Sequence, residues 1–296
     1  MVNTNSSCNH LGVAVAEISL VGDIMLGTNY KRGINSHSDY YLAPDVESFL
    51  DHAKEHFAGS TVFGNLEGVL MTEHIEPTSA EKFMFKSPDQ YSSIMKRAGI
   101  DCLSVANNHS DNFGKIGRES TMRVLEAEGI HYAGFKEKPY TFFTKNGVRY
   151  GFCACSPHTN TIQSSDYAAL QKIIQFLKQN ADIVVVSFHC GNEGTTATHV
   201  SRKEEYFCER KRGNPYELAH MAVDAGADIV YGHGPHVPRA IEVYKDRFIA
   251  YSLGNFATYK RFLINGDMGL APLIKIKVAS DGAFVSGSIR WSICFR

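Results

Sequence analysis

The sequence predicts an α/β fold built on mixed sheets, and three observations predict it. Strand and helix patterns alternate through the first half of the chain, and antiparallel hairpins follow in the second half. The run Ile183-Val184-Val185-Val186 is apolar without alternation, as a strand covered on both faces must be.

The elements follow in order. Val13–Val21 is rich in Val, Ala, Ile and Leu and reads as a buried strand that stops at Gly22-Asp23. Apolar residues at Val46, Phe49, Leu50, Ala53 and Phe57 have helical spacing, which predicts an amphipathic helix over Asp45–Phe57. Thr61–Phe63 is a short strand ended by Gly64-Asn65. Ser87-Pro88 reads as an N-cap with Pro at the first helical position, opening a helix that runs to Ala98 and stops at Gly99. Asp101–Ala106 is a strand, Arg118–Glu128 a helix ended by Gly129, and Ile130–Ala133 a short strand. Thr141–Thr144 and Val148–Cys155 form a hairpin across Asn146-Gly147. A helix over Tyr167–Lys178, the strand Asp182–Phe188, a helix over Tyr216–Ala225 and the strand Asp228–Tyr231 come next. Two hairpins close the chain: Arg239–Tyr244 with Phe248–Leu253, and Leu273–Val278 with Ala283–Ile289 across Asp281-Gly282. The stretch Cys190–Asn214 is long for an irregular segment, and such loops are often functional.

Composition narrows the function. The chain has 296 residues, 44% hydrophobic and 21% charged, enough for a sizeable core without staples. Lys plus Arg number 30 and Asp plus Glu 31, so no global field recruits nucleic acid, and any recognition of anions is local. The seven cysteines are odd in number, lack CxxC spacing and read as buried or idle thiols. The opening MVNTNSSCNH lacks the basic start and apolar run of a secretory signal, and no stretch reaches the ~18 apolar residues of a membrane span. As read, the chain is cytoplasmic; a missing export segment would place it in the cell envelope.

Chemistry gathers where strands end. Asp23 ends the first strand, Asn65 and Glu67 the second, Asn107-Asn108-His109 the third, His189 the Val-rich strand and His233 the strand after it, with His236 just beyond. Each has a plain reading: Asp after Gly is a turn residue, Asn-Asn-His a self-bonded loop, Gly-His-Gly-Pro-His a tight turn. Together they form a mixed nitrogen and oxygen set. In an open α/β sheet ligands bind outside the carboxyl ends of the strands, where parallel neighbours would make these side chains converge. Such a set suits divalent ions: imidazole favours Zn and Fe, and carboxylate and amide oxygens favour Mn and Mg. A carboxylate bridging two metals, about 3.5–4 Å apart, would clamp attacking and leaving oxygens, and a bound water would ionise near pH 7. A closed, thiolate-rich structural zinc site is disfavoured, because no cysteine has the spacing for one.

The ordered motifs Gly22-Asp23, Gly64-Asn65-Leu66-Glu67, Ala106-Asn107-Asn108-His109, His189-Cys190-Gly191-Asn192-Glu193, Gly232-His233-Gly234-Pro235-His236 and Ser252-Leu253-Gly254-Asn255-Phe256 resemble the bacterial CapA family of capsule and poly-γ-glutamate synthesis. The resemblance implies a four-layer α/β/β/α sandwich of the calcineurin-like metallophosphatase type, as a single domain over residues 14–290. A polar tail, 1–13, would precede it and an atypical end, 291–296, follow it. It implies two divalent metals held by Asp23, Glu67, Asn108, His189, His233 and His236, with Glu67 bridging. His109 would be the acid or the substrate-orienting group, and Asn65, Asn107, Glu193 and Asn255 would line or brace the site. Two positions depart from the phosphoesterase pattern: Met25 stands where a His is usual and Asn65 where an Asp is usual.

Three functions compete on this reading: a metal-dependent hydrolase of amide or ester bonds in an anionic polymer or a smaller substrate, a non-catalytic accessory subunit of a membrane capsule synthase, and a generic phosphoesterase. The basic residues Arg202, Lys203, Arg210, Lys211 and Arg212 are interleaved with Glu204, Glu205 and Glu209 and read as a solvated loop rather than an anion site. Lys86 either reaches the site or, on the plainer reading, lies on the surface, and Glu193 reads as a partner for a ligating His.

Overall fold

A computed structural model describes residues 14–28, 41–42, 46–73, 75, 83–259 and 264–293. The expected tail over 1–13 and the last three residues of the expected atypical end lie outside them, as does Asp45 at the expected start of the first helix.

Among the described residues, thirteen strands in two sheets build the frame. Strands β1 (Ala14–Met25), β2 (Thr61–Leu66), β3 (Cys102–Ser104) and β4 (His131–Ala133) run parallel in that order. In the second sheet, β5 (Tyr140–Lys145) and β6 (Val148–Cys155) form the hairpin that Asn146-Gly147 predicts. Strands β7 (Ile183–His189) and β8 (Ile229–His233) lie parallel beside β6, with the hairpin β9 (Ile241–Tyr244) and β10 (Arg247–Ala250) at the far edge. The chain then returns to the first sheet: β11 (Asn255–Thr258) pairs with the end of β1, and the hairpin β12 (Leu270–Ala279) and β13 (Phe284–Ile293) extends the sheet beyond β1.

Three apolar clusters separate four layers. Helices α1 (Val46–Phe57), α2 (Tyr91–Ala98) and α3 (Gly114–Ala127) cover the outer face of the first sheet, where Leu50, Met95 and Leu125 pack with Val62 and Leu103. Between the sheets lie Ile18, Leu20, Phe63, Phe152, Val185 and Tyr231. Outside the second sheet, α4 (Tyr167–Asn180) and α5 (Pro215–Ala225) pack Ile174, Leu177 and Ala222 on Val184, Val186 and Val230. The pleat explains the division. Ile183 and Val185 face the other sheet while Val184 and Val186 face the helices, so β7 has no polar face.

Local signals set most element ends. Asp166 caps α4 by accepting from the Ala169 amide, and Asn214 caps α5 ahead of Pro215. The expected cap at Ser87 is not made, and α2 begins at Tyr91. Lys86–Ser87 instead pairs with Val69–Leu70, and the Ser87 hydroxyl donates to the Gly27 carbonyl at 2.8 Å. A buried long-range bond has won over a local cap. The long segment after β7 contains a two-stranded ribbon, Glu205–Phe207 with Arg210–Gly213. Among the described residues, no helix is long and apolar enough to cross a membrane.

Candidate metal centre

The two sheets present different chemistry at one shared end. From the first come oxygen donors. Asp23 sits near the end of β1, where the pairing register shifts against both β2 and β11. Such an irregularity re-aims a side chain. The backbone there is held tightly: the Asp23 amide donates to the Gly254 carbonyl at 2.9 Å, and a Cβ on Gly22 would fall 2.1 Å from that same oxygen. Only glycine fits so close an approach. Asn65 lies opposite Asp23 in register and donates from Nδ2 to Asp23 Oδ1 at 2.8 Å. Asn107 Nδ2 donates to Asn65 Oδ1 at 3.2 Å and to the Leu66 carbonyl at 2.7 Å. Glu67 follows β2, and its amide is fixed by the Ile24 carbonyl at 3.0 Å.

From the second sheet come imidazoles. His189 and His233 end β7 and β8 as a register pair. His236 lies on the loop beyond, with φ 57°. A non-glycine residue in the left-handed region costs about 1–2 kcal/mol, so surrounding structure must hold it. His236 Nδ1 lies 3.1 Å from both Asp23 Oδ2 and Asn255 Oδ1, and its Nε2 is 3.6 Å from Glu67 Oε1. His233 Nδ1 is 2.9 Å from Asp23 Oδ1. The rings of His189 and His236 are 6.3 Å apart.

The structure thus brings Asp23, Glu67, His233 and His236 into direct proximity, with His189 alongside. Donor atoms of Asp23, Glu67 and His236 lie within 4.8 Å of one another. Asn108 stands on the adjoining loop after β3, with a buried Oδ1 that has no hydrogen-bond partner, and lines a cavity of about 320 Å³. His109 is buried against Phe85, with Nδ1 3.0 Å from Asn112 Oδ1. Asn65, Asn107 and Asn255 act as braces, since each holds a neighbour in place. Glu193 pairs with Arg212, its Oε1 2.6 Å from Nη2, and its charge also acts on His236.

A divalent cation fits this donor set. Both oxygens of Glu67, Oδ2 of Asp23, Oδ1 of Asn108 and both ring nitrogens of His189 and His233 are buried without an aligned hydrogen bond. Buried polar atoms are nearly always satisfied, because an unmet one costs about 1–3 kcal/mol. A cluster of such atoms, all of metal-ligating types, fits a bound cation.

The charges of the cluster act strongly on one another. Burial pushes the Glu67 carboxyl up, helped by the charges of Asp23 and Glu193, with His236 pulling the other way. Burial also opposes a charged Asp23, yet His233 and His236 hold its carboxyl below the ordinary range. Burial works against a charged His236 too, but Glu67 and Asp23 carry it up to about 10. His189 is driven down by burial, which leaves a neutral imidazole of the kind that ligates metal. His109 falls to about 3, chiefly through burial.

Sequence reasoning gave two residues a plainer place than they hold and missed a third. Arg212 is 5% exposed, not solvated, and Lys86 is 2% exposed, its ammonium donating to the Glu73 carbonyl at 2.5 Å. His158 follows the carboxyl end of β6 and has a buried Nε2 without a partner; its signal was another strand end, masked by Ser156-Pro157, which reads as a turn.

Comparison with known proteins fixes the lineage. The family described as bacterial capsule synthesis protein PGA_cap matches residues 17–260. The capsule biosynthesis protein CapA of Bacillus anthracis is 30% identical over 260 residues, which cover 81% of this chain and 59% of that protein. The PGA biosynthesis protein CapA of Bacillus subtilis (strain 168) is 28% identical over 259 residues, 82% of this chain and 63% of that one. The chain therefore spans less than two thirds of the length of either relative. A 5'-nucleotidase precursor from Thermus thermophilus superimposes with a TM-score of 0.50 at 10% identity, covering 94% of this chain and 54% of that one, a likeness of fold. The four layers are those of the calcineurin-like metallophosphatases, and the chain belongs to the bacterial capsule synthesis protein family PGA_cap.

Proposed function

We propose that this chain is a CapA-like, metal-dependent protein of capsule or poly-γ-glutamate biosynthesis or processing, with a hydrolase-type centre that takes up to two divalent metals, Mn, Zn, Fe or Mg. The observation that carries the reading is the set of buried ligand atoms without an aligned hydrogen bond on Asp23, Glu67, Asn108, His189 and His233 beside His236.

Glu67, with both carboxylate oxygens buried and lacking a hydrogen bond beside His236, would hold a cation together with Asp23 and His236. Cations held there would supply Lewis-acid polarisation and an acidified water. The chain's own residues do the rest. Asn65 and Asn107 hold the Asp23 carboxylate and the loop after β3 in one orientation. Asn255 fixes the His236 ring. His109, neutral because burial lowers it to about 3 and held by Asn112 Oδ1 at 3.0 Å, would orient the substrate rather than give up a proton. The bond broken is an amide or phosphoester in an anionic polymer or a smaller anionic substrate.

Elemental analysis of the purified protein, followed by assays on poly-γ-glutamate and a chromogenic phosphodiester, tests this. The expected result is stoichiometric metal, with turnover abolished by chelation and by His233→Ala. Full activity after exhaustive chelation would overturn it.

A second reading has one observation behind it. Asn65 spends its amide on Asp23 Oδ1, and Met25 is apolar and buried, so two positions of the usual phosphoesterase shell offer no metal ligand. A site reduced in this way suits an accessory subunit of a capsule-polymer synthase, which binds metal without turnover. Co-purification with membrane synthase subunits, together with metal content but no hydrolysis, would favour it.

A further inference from the structure

Beside the metal centre lies a cavity of about 320 Å³, near the lower end of the ~300–1,000 Å³ typical of ligand pockets. Three loops meet around it: the one after β3 with Asn107 and Asn108, the one after β6 with His158 and Asn160, and the second strand of the ribbon with Arg212. We propose that this cavity is an oxyanion subsite, in which Arg212 and His158 hold a carboxylate or phosphate group of the substrate next to the metal ligands. The proposal deepens the functional reading above and rests on it for the word substrate; binding of an oxyanion stands or falls separately.

Arg212 is the central observation. It is 5% exposed, yet neither Nε nor Nη2 makes an aligned hydrogen bond. Its close countercharge is Glu193, 2.6 Å from Nη2. A guanidinium carries five donors in a planar fork, so one carboxylate leaves capacity for a second oxyanion. The carbonyl of Arg212 accepts from the Gly191 amide at 2.8 Å, which ties the ribbon to the segment leaving β7. His158 adds a buried Nε2 with no partner. Two side chains with buried nitrogens that lack an aligned hydrogen bond, from different parts of the chain, thus line one space.

The balance of charge points the same way. Arg210 and Lys211 stand exposed at the cavity and add positive potential, whereas the lining carboxylate, Asp111, is already paired with Arg118 and Asn160. An oxyanion entering here meets cations whose local acids are engaged. The subsite is also continuous with the metal centre. Asn108, whose Oδ1 is unpartnered, lines it, and Asn107 links it through Asn65 to Asp23. An oxyanion held by Arg212 would hold the rest of its molecule toward Glu67 and His189.

Calorimetric titration with inorganic phosphate and with γ-linked diglutamate, each on protein stripped of metal after its native metal content has been measured, tests this. The double variant Arg212→Gln/Glu193→Gln removes the charge pair together, so that no lone carboxylate stays buried. It is expected to weaken whichever probe binds by about tenfold or more, the scale of a lost charge-assisted contact. Arg212→Lys keeps a charge opposite Glu193 but loses the fork, and is expected to weaken binding by about threefold or more. Lys203→Ala, exposed on the same segment, is the control and leaves both affinities unchanged. Preference for phosphate or for diglutamate identifies which oxyanion the site takes. Wild-type protein that binds neither probe, or variants that melt like wild type and bind both probes equally well, would overturn the subsite. Absence of native metal with probe binding intact would instead sink the metal-centre reading and leave the subsite standing.

Discussion

Two buried aspartates at opposite ends of the strands serve opposite purposes. Asp23 and Asp228 are each 0% exposed. Asp228, at the amino end of β8, is surrounded by full-strength donors: Lys178 Nζ at 2.8 Å to both oxygens, the Val184 amide at 2.8 Å and Arg247 Nε at 3.1 Å. Asp23, at the carboxyl end of β1, pairs with no Lys or Arg among the described residues. Its partners are an asparagine amide and two imidazoles, and its Oδ2 lacks an aligned hydrogen bond. A structural carboxylate is satisfied by the protein, whereas a site carboxylate is surrounded by groups that themselves want a cation. Burial alone does not distinguish them; the company does.

The sharpest break of this comparison is the same change at both places. Asp23→Asn is expected to cut metal affinity by more than about 100-fold, since outer partners alone are worth about 10–100-fold. Asp228→Asn is expected to keep the metal and lose stability. That loss stays nearer 1–2 kcal/mol than the ~3–5 kcal/mol of a fully buried broken pair, because Lys178 and Arg247 are 35% and 22% exposed and can turn to water. Metal titration and chemical denaturation of the two variants separate the effects, and equal metal loss in both would erase the distinction.

Each aspartate also has a glycine that no other residue can replace. A Cβ on Gly22 would strike the Gly254 carbonyl at 2.1 Å, backbone against backbone. Gly282 has φ +84°, and its Cβ would fall 1.9 Å from Asp228 Oδ1. Gly22→Ala is therefore expected to cost about 3 kcal/mol, with metal affinity reduced because β1 and β11 must part. Gly282→Ala is expected to cost about 2 kcal/mol, from a left-handed backbone and a displaced carboxylate, with the metal site intact. Thermal melting with and without added Mn tells the two apart.

This contrast also marks how far the sequence could be read. Strand ends carrying Asp23, Glu67, His189 and His233 were legible because β-strand patterning and turn glycines are local signals. The hairpin at Asn146-Gly147 and the two-faced burial of β7 were legible for the same reason. The division of the strands between two sheets was not, since β11 joins β1 only after the whole second sheet has intervened. Arg212 and Lys86 were misread because their charges lie in stretches of mixed polarity, and only tertiary packing decides which charge turns inward. His236 gave a motif but no hint of its left-handed backbone.

Smaller effects sharpen the account of who holds whom. Asn255 Oδ1 is 3.1 Å from His236 Nδ1, and its Nδ2 donates to the Met268 carbonyl at 3.0 Å and the His236 carbonyl at 3.3 Å. Asn255→Ala frees the ring without removing a ligand, so metal affinity is expected to fall about tenfold, well short of the Asp23 effect. A loss as large as that of Asp23→Asn would make Asn255 a ligand and not a brace.

The smallest effect concerns protons at Asp228. Burial pushes its carboxyl up from the ordinary value of 3.8, against the pull of Lys178, the Val184 amide and Arg247. A raised folded pKa means that the folded chain keeps the proton after the unfolded chain has released it. The stability this group contributes is then full below about pH 3.8 and is lost as pH rises through the folded value. Other carboxylates follow the opposite sign: Glu17 is held down first by its hydrogen bond to Lys275, and Glu137 by its own backbone amide and Arg118 against the cost of burial. The total curve hides Asp228, but the difference between wild type and Asp228→Asn isolates it. That difference, measured by denaturation from pH 3 upward in metal-free protein, should move in favour of the variant as pH rises past about 3.8. A difference that moves toward wild type would mean that Lys178, the Val184 amide and Arg247 outweigh burial at Asp228 and hold its carboxyl below the ordinary value.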